Sequence, residues 1–113
     1  MAEEPFQKGV MFWREDNDQI YALFSGGSWG AYTHTWREGD AEETCSSGTP
    51  ITPVRGFGQV WCTASGVRAS LGNATAQENG YNGTVQDFER GVVIRTDAGA
   101  TYAMYRGGKW EKR

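Results

Sequence analysis

Two stretches of this chain have almost the same sequence, and they decide its fold. Residues 21–29 read YALFSGGSW, and residues 102–110 read YAMYRGGKW. An earlier pair also matches, with FQKGVMF at 6–12 and FERGVVI at 88–94. The offset is 82 positions for the earlier pair and 81 for the later one. A match that keeps its spacing in this way indicates that one structural unit occurs twice.

Each copy has the pattern of an antiparallel β-meander. The copies span residues 6–29 and 88–110, and each contains two short runs of β-branched and aromatic residues separated by turn residues. The difference of one residue falls between the runs, where a surface turn tolerates it. A Gly-Gly pair at 26–27 or 107–108 then favours a tight turn, and a third strand begins at the tryptophan that follows.

The segment between the copies predicts one helix and two loops. Residues 37–52 are acidic and then rich in Ser, Gly and Thr, which is typical of a long loop. Apolar residues recur at helical spacing over about 57–71, with Gly66 as a point where the helix can break. Residues 73–84 are polar and contain Asn-Gly turn signals. We therefore predict a small single domain, 1–113, of the α+β class, in which two repeated antiparallel β-meanders flank one helix.

Composition and charge set further limits. The chain has 113 residues, of which 38% are hydrophobic, so we expect one globular domain rather than a disordered chain. No apolar run approaches the roughly 20 residues that cross a bilayer, and the acidic residues 1–5 lack the apolar stretch of a signal peptide. Residues 1–50 carry nine acidic and three basic side chains, and residues 51–113 carry five and eight. The net charge of −3 argues against a nucleic-acid partner, although the asymmetry would suit head-to-tail contacts between copies.

Cys45 and Cys62 leave two interpretations open. An even cysteine count in a small, glycine-rich chain favours one disulfide and an oxidising compartment. The alternative is a pair of reduced thiols, with Cys62 buried in the core. A metal site is not expected, because His34 is the only histidine and no Cys-x-x-Cys pair exists.

Several short motifs carry a family resemblance. They are PVRGFGQVW at 53–61, VR at 67–68, LGNA at 71–74 and QDFERG at 86–91. Together they resemble an uncharacterised extracytoplasmic domain found in multidomain proteins of filamentous bacteria of the Chloroflexus type. The chain is also distantly similar to the LGFP-repeat module of bacterial cell-wall proteins.

The resemblance implies a non-catalytic module of the cell envelope or of a secreted protein. It implies a location outside the cell or at the cell surface, as part of a larger protein. It brings no cofactor, no established ligand and no catalytic residues. Residues 1–5 are then not necessarily the native start of the protein.

The aromatic residues are the best candidates for a binding site. The chain has 15 of them, which is more than a small core needs. Trp29 and Trp110 occupy repeated positions, so we interpret them as core anchors, whereas Trp13 and Trp36 have no aromatic counterpart. Flat rings beside polar groups hold the apolar faces of sugars. The predicted ligand-binding residues are Trp13, Trp36, Tyr32, Arg37 and Arg55.

Catalysis and nucleic-acid binding are poorly supported. We interpret His34 as a surface residue of a strand, and no serine lies in a nucleophile elbow. Residues 55–60 partly match the RNA-recognition strand, but no second motif accompanies them. We expect a non-enzymatic module that binds a glycan or a cell-surface protein, with no membrane insertion. A protein–protein or self-assembly module, with oligomers possible, and a small-molecule-binding domain are the alternatives.

Overall fold

The structure is a computed structural model that describes residues 1–43, 45 and 51–113. It contains two antiparallel sheets. The strands of the first sheet are β1 Ala2–Phe6, β2 Gly9–Arg14, β3 Gln19–Phe24, β4 Trp29–Thr33 and β5 Asn79–Gly80, in the spatial order β4-β3-β2-β1-β5. The strands of the second sheet are β6 Thr84–Phe88, β7 Gly91–Arg95, β8 Thr101–Tyr105 and β9 Trp110–Lys112, in chain order.

The matching sequence stretches form corresponding strands in different sheets. β2, β3 and β4 lie in the first sheet, and β7, β8 and β9 lie in the second, joined by the expected turns. The sequence analysis missed the strand that precedes each set, β1 or β6. β1 escaped prediction because its residues 3–5, Glu-Glu-Pro, are poor strand formers.

The helical segment differs from the prediction. The single helix predicted over 57–71 is wrong, because α1 spans Arg55–Thr63 and α2 spans Val67–Leu71. The break comes at Gly66, whose φ of +79° is a left-handed conformation that glycine adopts readily. Nor do the sheets flank the helices, since both helices pack on one face of the first sheet. None of the helices in the described residues is long and apolar enough to cross a membrane.

Each face of the first sheet belongs to a different core cluster. On one face, residues of β1, β2 and β3 pack against the helices, and Phe57, Trp61 and Leu71 supply the helical side. On the other face, Phe12 and Tyr21 pack against Ile94 and Tyr102 of the second sheet. The domain therefore has three layers, in the order helices, first sheet and second sheet.

Two tryptophans join the sheets through reciprocal contacts. Trp29 Nε1 donates to Tyr105 O over 2.8 Å, and Trp110 Nε1 donates to Phe24 O over the same distance. The backbone repeats the exchange, because Trp29 N donates to Gly108 O and Trp110 N donates to Gly27 O. Every pair of corresponding residues here is 81 positions apart.

Arg14 makes a third junction between the sheets. Its buried guanidinium donates two hydrogen bonds to Asp87 of β6, at 2.7 and 2.6 Å, and two more to Asp16. These bonds raise the pKa of Arg14 above its usual value and lower those of both aspartates. The guanidinium therefore stays charged, and the carboxylates of Asp16 and Asp87 both pair with it at the junction of the two sheets.

A disulfide joins Cys45 to Cys62, with Cα atoms 5.6 Å apart. It ties the segment after β4 to α1 across 17 positions. The expected loop over 37–52 has no helix or strand in residues 37–43, and residues 44 and 46–50 of that loop lie outside the described residues. The alternative of reduced thiols is wrong for this structure.

Candidate functional site

A cavity of about 640 Å³ lies at one end of the first sheet, on the face that carries the helices. The strand register places Gly80, Ala2, Trp13 and Ile20 in one row across β5, β1, β2 and β3. This row is the floor, while residues 34–38 and the start of α1 form the walls. The large apolar side chains of the lining are those of Met1, Trp13, Ile20, Trp36 and Phe57. The polar groups include Asp18, His34, Arg37, Arg55 and Glu78.

Asp18 organises one side of the cavity. Its Oδ1 accepts a hydrogen bond from Trp13 Nε1 over 3.0 Å and lies 3.0 Å from His34 Nδ1. Its Oδ2 lies 2.9 Å from Arg37 Nη2. The bond from Trp13, followed by the charges of His34 and Arg37, holds the pKa of Asp18 below its usual value. A single carboxylate therefore orients an indole, an imidazole and a guanidinium at the cavity wall.

Arg37 is fixed by further acceptors. Its Nη1 donates to His34 O and to Trp36 O, each over 2.9 Å. Trp36 is only 8% exposed, and its Nε1 donates to Ala41 O over 3.3 Å. Both side chains are therefore held in place before any ligand arrives, which reduces the entropy that binding would cost.

His34 fits the wall because residue 56 is glycine. A Cβ atom at Gly56 would lie 1.8 Å from His34 Cδ2, which is far inside contact distance. The imidazole therefore packs directly on the backbone of α1, and its ring centroid lies 5.6 Å from that of Trp13. The interpretation of His34 as a surface strand residue is wrong, because β4 ends at Thr33 and the His34 side chain is only 16% exposed.

Arg55 stands at the opposite wall, at the first residue of α1. Its backbone N–H donates to Glu42 Oε2 over 2.7 Å, and its Nη1 donates to Glu78 Oε1 over 3.3 Å. Its φ of +55° is unusual for a residue with a side chain. The Glu42 carboxylate thus satisfies a helix N-terminal donor that Val54, at the N-cap, leaves without a side-chain bond. Because α1 includes residues 55–60, this segment is not the strand that an RNA-recognition motif would require.

A buried carboxyl lies behind Glu78. Glu4 of β1 is 1% exposed, and neither of its side-chain oxygens has a hydrogen-bond partner among the described residues. Burial, together with the nearby charge of Glu78, raises the pKa of Glu4 to about 7. Glu78, which lines the cavity, is therefore coupled to a buried carboxyl group whose pKa is near neutral.

Four of the five predicted site residues line this cavity, namely Trp13, Trp36, Arg37 and Arg55. Tyr32 does not. It pairs with Ile20 at the far end of the same row and borders a separate recess with Gln59 and Thr63. Burial raises the pKa of its hydroxyl, and its ring packs against the helical cluster.

Sequence reasoning missed four polar residues of the cavity lining, Asp18, His34, Glu38 and Glu78. Asp18 had a usable signal, because it ends an Asp-Asn-Asp turn and takes a positive φ of 57°, which aspartate adopts more readily than most residues. His34 and Glu78 had no comparable signal, since only the packing of α1 on the first sheet and the pairing of β5 with β1 bring them to one cavity. Within the described residues, no cluster of three or more His, Cys, Asp or Glu side chains is arranged to hold a metal ion.

Comparison with known proteins gives no relative. No family model, no curated protein and no solved structure matches this chain.

Proposed function

We propose that this chain is a non-catalytic module that binds a carbohydrate, and that the cavity between Trp13 and Trp36 holds the sugar. One observation carries the proposal. These two indoles, which have no aromatic counterpart in the repeat, line the same cavity as charged groups that are held in place. A volume of about 640 Å³ lies within the ordinary range for small-ligand sites.

The walls of the cavity suit the two kinds of surface that a sugar presents. Indole rings stack on the apolar C–H faces of a pyranose ring. Arg55 and Glu78 can bind ring hydroxyls from the opposite wall, since a guanidinium donates and a carboxylate accepts. The bonds through Asp18 hold Trp13 and Arg37 in place, so the ligand meets a rigid surface.

The lining of the cavity does not favour catalysis by a triad. His34 and Asp18 resemble two members of a catalytic triad, but the cavity lining includes no serine, threonine or cysteine to act as the nucleophile. This holds for the residues that the structure describes. We therefore assign Asp18 and His34 a positioning role.

The disulfide supports a location in an oxidising compartment. We infer that the module works in the cell envelope or in a secreted protein, as part of a larger chain. This agrees with what the motifs at 53–61 and 86–91 imply by resemblance.

We also infer that the two meanders are copies of one unit related by an approximate two-fold axis. The reciprocal bonds of Trp29 and Trp110 support this, because each indole contacts the other copy at the corresponding residue. The outer layers then distinguish the copies, since the described helices cover only the first.

Glycan binding is tested by affinity electrophoresis and by calorimetry against a panel of bacterial polysaccharides and peptidoglycan fragments. We expect a ligand whose affinity falls at least tenfold in Trp13→Ala and in Arg55→Ala. Phe88→Ala, which removes an exposed ring from the second sheet, is the matched control and leaves the affinity unchanged.

Two results would contradict the proposal. Equal loss in Phe88→Ala and Trp13→Ala would show that the glycan contacts scattered aromatics rather than the cavity. Failure of the whole panel, with saturable binding of a non-sugar metabolite that Trp13→Ala removes, would assign the cavity to a small-molecule ligand.

A further inference from the structure

The second sheet has an outer face on which neither described helix packs, and Arg113, which donates to Tyr105 Oη over 2.8 Å, also lines it. Its register places Phe88, Gly91 and Tyr105 in one row, with the two rings on either side of the glycine. Phe88 is 53% exposed and Tyr105 is 38% exposed. The two rings border a groove of about 220 Å³. Val93 and Ala103, which pair with each other two residues further along β7 and β8, also line it. Exposed aromatic rings beside a groove are typical of a surface that binds a partner.

The corresponding face of the first sheet shows what such a groove accepts. Phe6, Gly9 and Phe24 hold the positions of Phe88, Gly91 and Tyr105, and the side chain of Leu71 lies on Gly9. A Cβ atom at Gly9 would lie 2.7 Å from Leu71 Cδ2, whereas the three atoms nearest to a Cβ atom at Gly91 are backbone atoms of its own sheet. Leu71 itself is fully buried. The groove in the second sheet thus corresponds to the site of Leu71, and no leucine of a described helix enters it.

The backbone around the two grooves matches as well. The turn between β1 and β2 holds the end of α2, because Gln7 N donates to Asn73 O and Lys8 N donates to Leu71 O, each over 2.9 Å. The corresponding donors of the second sheet are the N–H groups of Glu89 and Arg90. Neither has a hydrogen-bond partner among the residues described, and both residues are exposed. The turn therefore presents two donors at the place where a helix ends in the first copy.

The basic residues beside the two grooves correspond as well. Lys8 Nζ lies 3.4 Å from Ala69 O, one of the last carbonyls of α2. Arg90 takes the place of Lys8, and Arg106 lies beside it through the bond from Arg106 N to Arg90 O. In the part of the chain that the structure describes, neither guanidinium forms an ion pair. Two unpaired cations beside this groove favour the negative end of a helix and acidic side chains.

We propose that the outer face of the second sheet binds the C-terminal turn of an acidic, amphipathic helix of a partner protein. The partner inserts a leucine between Phe88 and Tyr105, as Leu71 is inserted between Phe6 and Phe24. Its last carbonyls accept hydrogen bonds from the N–H groups of Glu89 and Arg90, and its acidic residues face Arg90 and Arg106. This site is separate from the sugar cavity and does not depend on it.

The test uses a synthetic helical peptide, stapled on its solvent side, that carries glutamates and ends in Leu-Gly-Asn as α2 does. A second peptide replaces this leucine by serine. In an NMR titration of the intact chain, the leucine peptide is expected to shift the amide signals of residues 88–91 and 103–106. The serine peptide is expected to bind at least tenfold more weakly.

Protein variants localise the effect. Phe88→Glu and Arg90→Glu each reduce the affinity at least tenfold, and both sites are exposed, so folding is retained. Ser70→Glu, at an exposed position in the helical layer, is the matched control and keeps the affinity of the wild type.

Three outcomes would overturn the proposal. They are the absence of shifts at millimolar peptide, equal binding of the serine peptide, and shifts confined to the cavity residues. A concentration-dependent dimer that Phe88→Glu abolishes would also overturn it, because the face would then belong to a second copy of this chain.

Discussion

Glu4 is a buried acid whose pKa lies well above that of a free glutamate. It is a carboxyl group without a hydrogen-bond partner among the described residues, and its pKa is raised to about 7 by burial and by Glu78. An acid with a raised pKa is most stabilising in its neutral form. The contribution is therefore complete below the unfolded value of about 4.5 and is lost as the pH rises through about 7.

We predict that the wild-type chain loses stability between about pH 5 and pH 8, whereas Glu4→Gln does not. Relative to its value at low pH, the unfolding free energy of the wild type falls by about 3 kcal/mol by pH 8. Urea unfolding of both proteins across this range measures it. Parallel curves for the two proteins would show that the folded and unfolded pKa values of Glu4 are equal.

Gly56 makes the second prediction at this scale. Gly56→Ala places a methyl group where His34 lies, so the imidazole must move away from Asp18. We expect a loss of about 1–3 kcal/mol and a changed chemical shift for His34 in NMR spectra. Gly26→Ala is the matched control, because nothing lies within 4 Å of its new methyl group. An unchanged His34 signal in Gly56→Ala would contradict the proposed packing.

At the scale of elements, the disulfide between Cys45 and Cys62 fixes the cavity wall to α1. Closing a loop of 17 positions limits the unfolded chain and contributes about 3 kcal/mol to stability. We predict that reduction of the disulfide lowers the unfolding free energy by this amount. It also lowers the affinity of the cavity for any ligand. Thermal unfolding with and without a reductant measures the first effect. The variant in which both cysteines are replaced by alanine is the control, and its stability does not respond to the reductant.

The helices and strands also show which parts of the fold can be predicted from the sequence. The strands of the repeat and their Gly-Gly turns were predicted because alternation and turn chemistry are local properties. The position of the helical segment followed from its apolar spacing, and Gly66 marked the point where it can break, but the packing of α2 depends on how Val67 and Leu71 contact the first sheet. β1 remained hidden since its residues gain a strand conformation only by pairing with β2 and β5.

The residues of the candidate site also fall into those that the sequence could predict and those that it could not. Trp13, Trp36, Arg37 and Arg55 were selected by residue type, and they line one cavity. Tyr32 was selected on the same grounds, but the strand register places it beyond Ile20, beside another recess. His34 and Glu78 could not be selected, because their proximity results from contacts between distant segments. Whether the four lining residues bind a sugar stays a prediction.

For the whole molecule, the junction between the sheets makes a symmetric prediction. Trp29→Phe and Trp110→Phe each remove one indole donor from one side of the same junction. We expect each to cost about 1 kcal/mol of unfolding free energy, with similar values for the two. Chemical unfolding of both single variants and of the double variant measures this. A cost confined to one tryptophan would contradict the equivalence of the two copies.

This reciprocity has a consequence for the ancestry of the chain. Each half contains one indole donor and one carbonyl acceptor of the junction. In the second sheet the donor is Trp110 and the acceptor is Tyr105. A surface that carries both members of each bond is self-complementary, which is the property that lets two identical subunits close into a dimer. Under the proposal that the two meanders are copies of one unit, the chain corresponds to such a homodimer joined into one polypeptide. Fusion would then have released its halves from identity, so that one could acquire helices and a cavity while the other kept an open face.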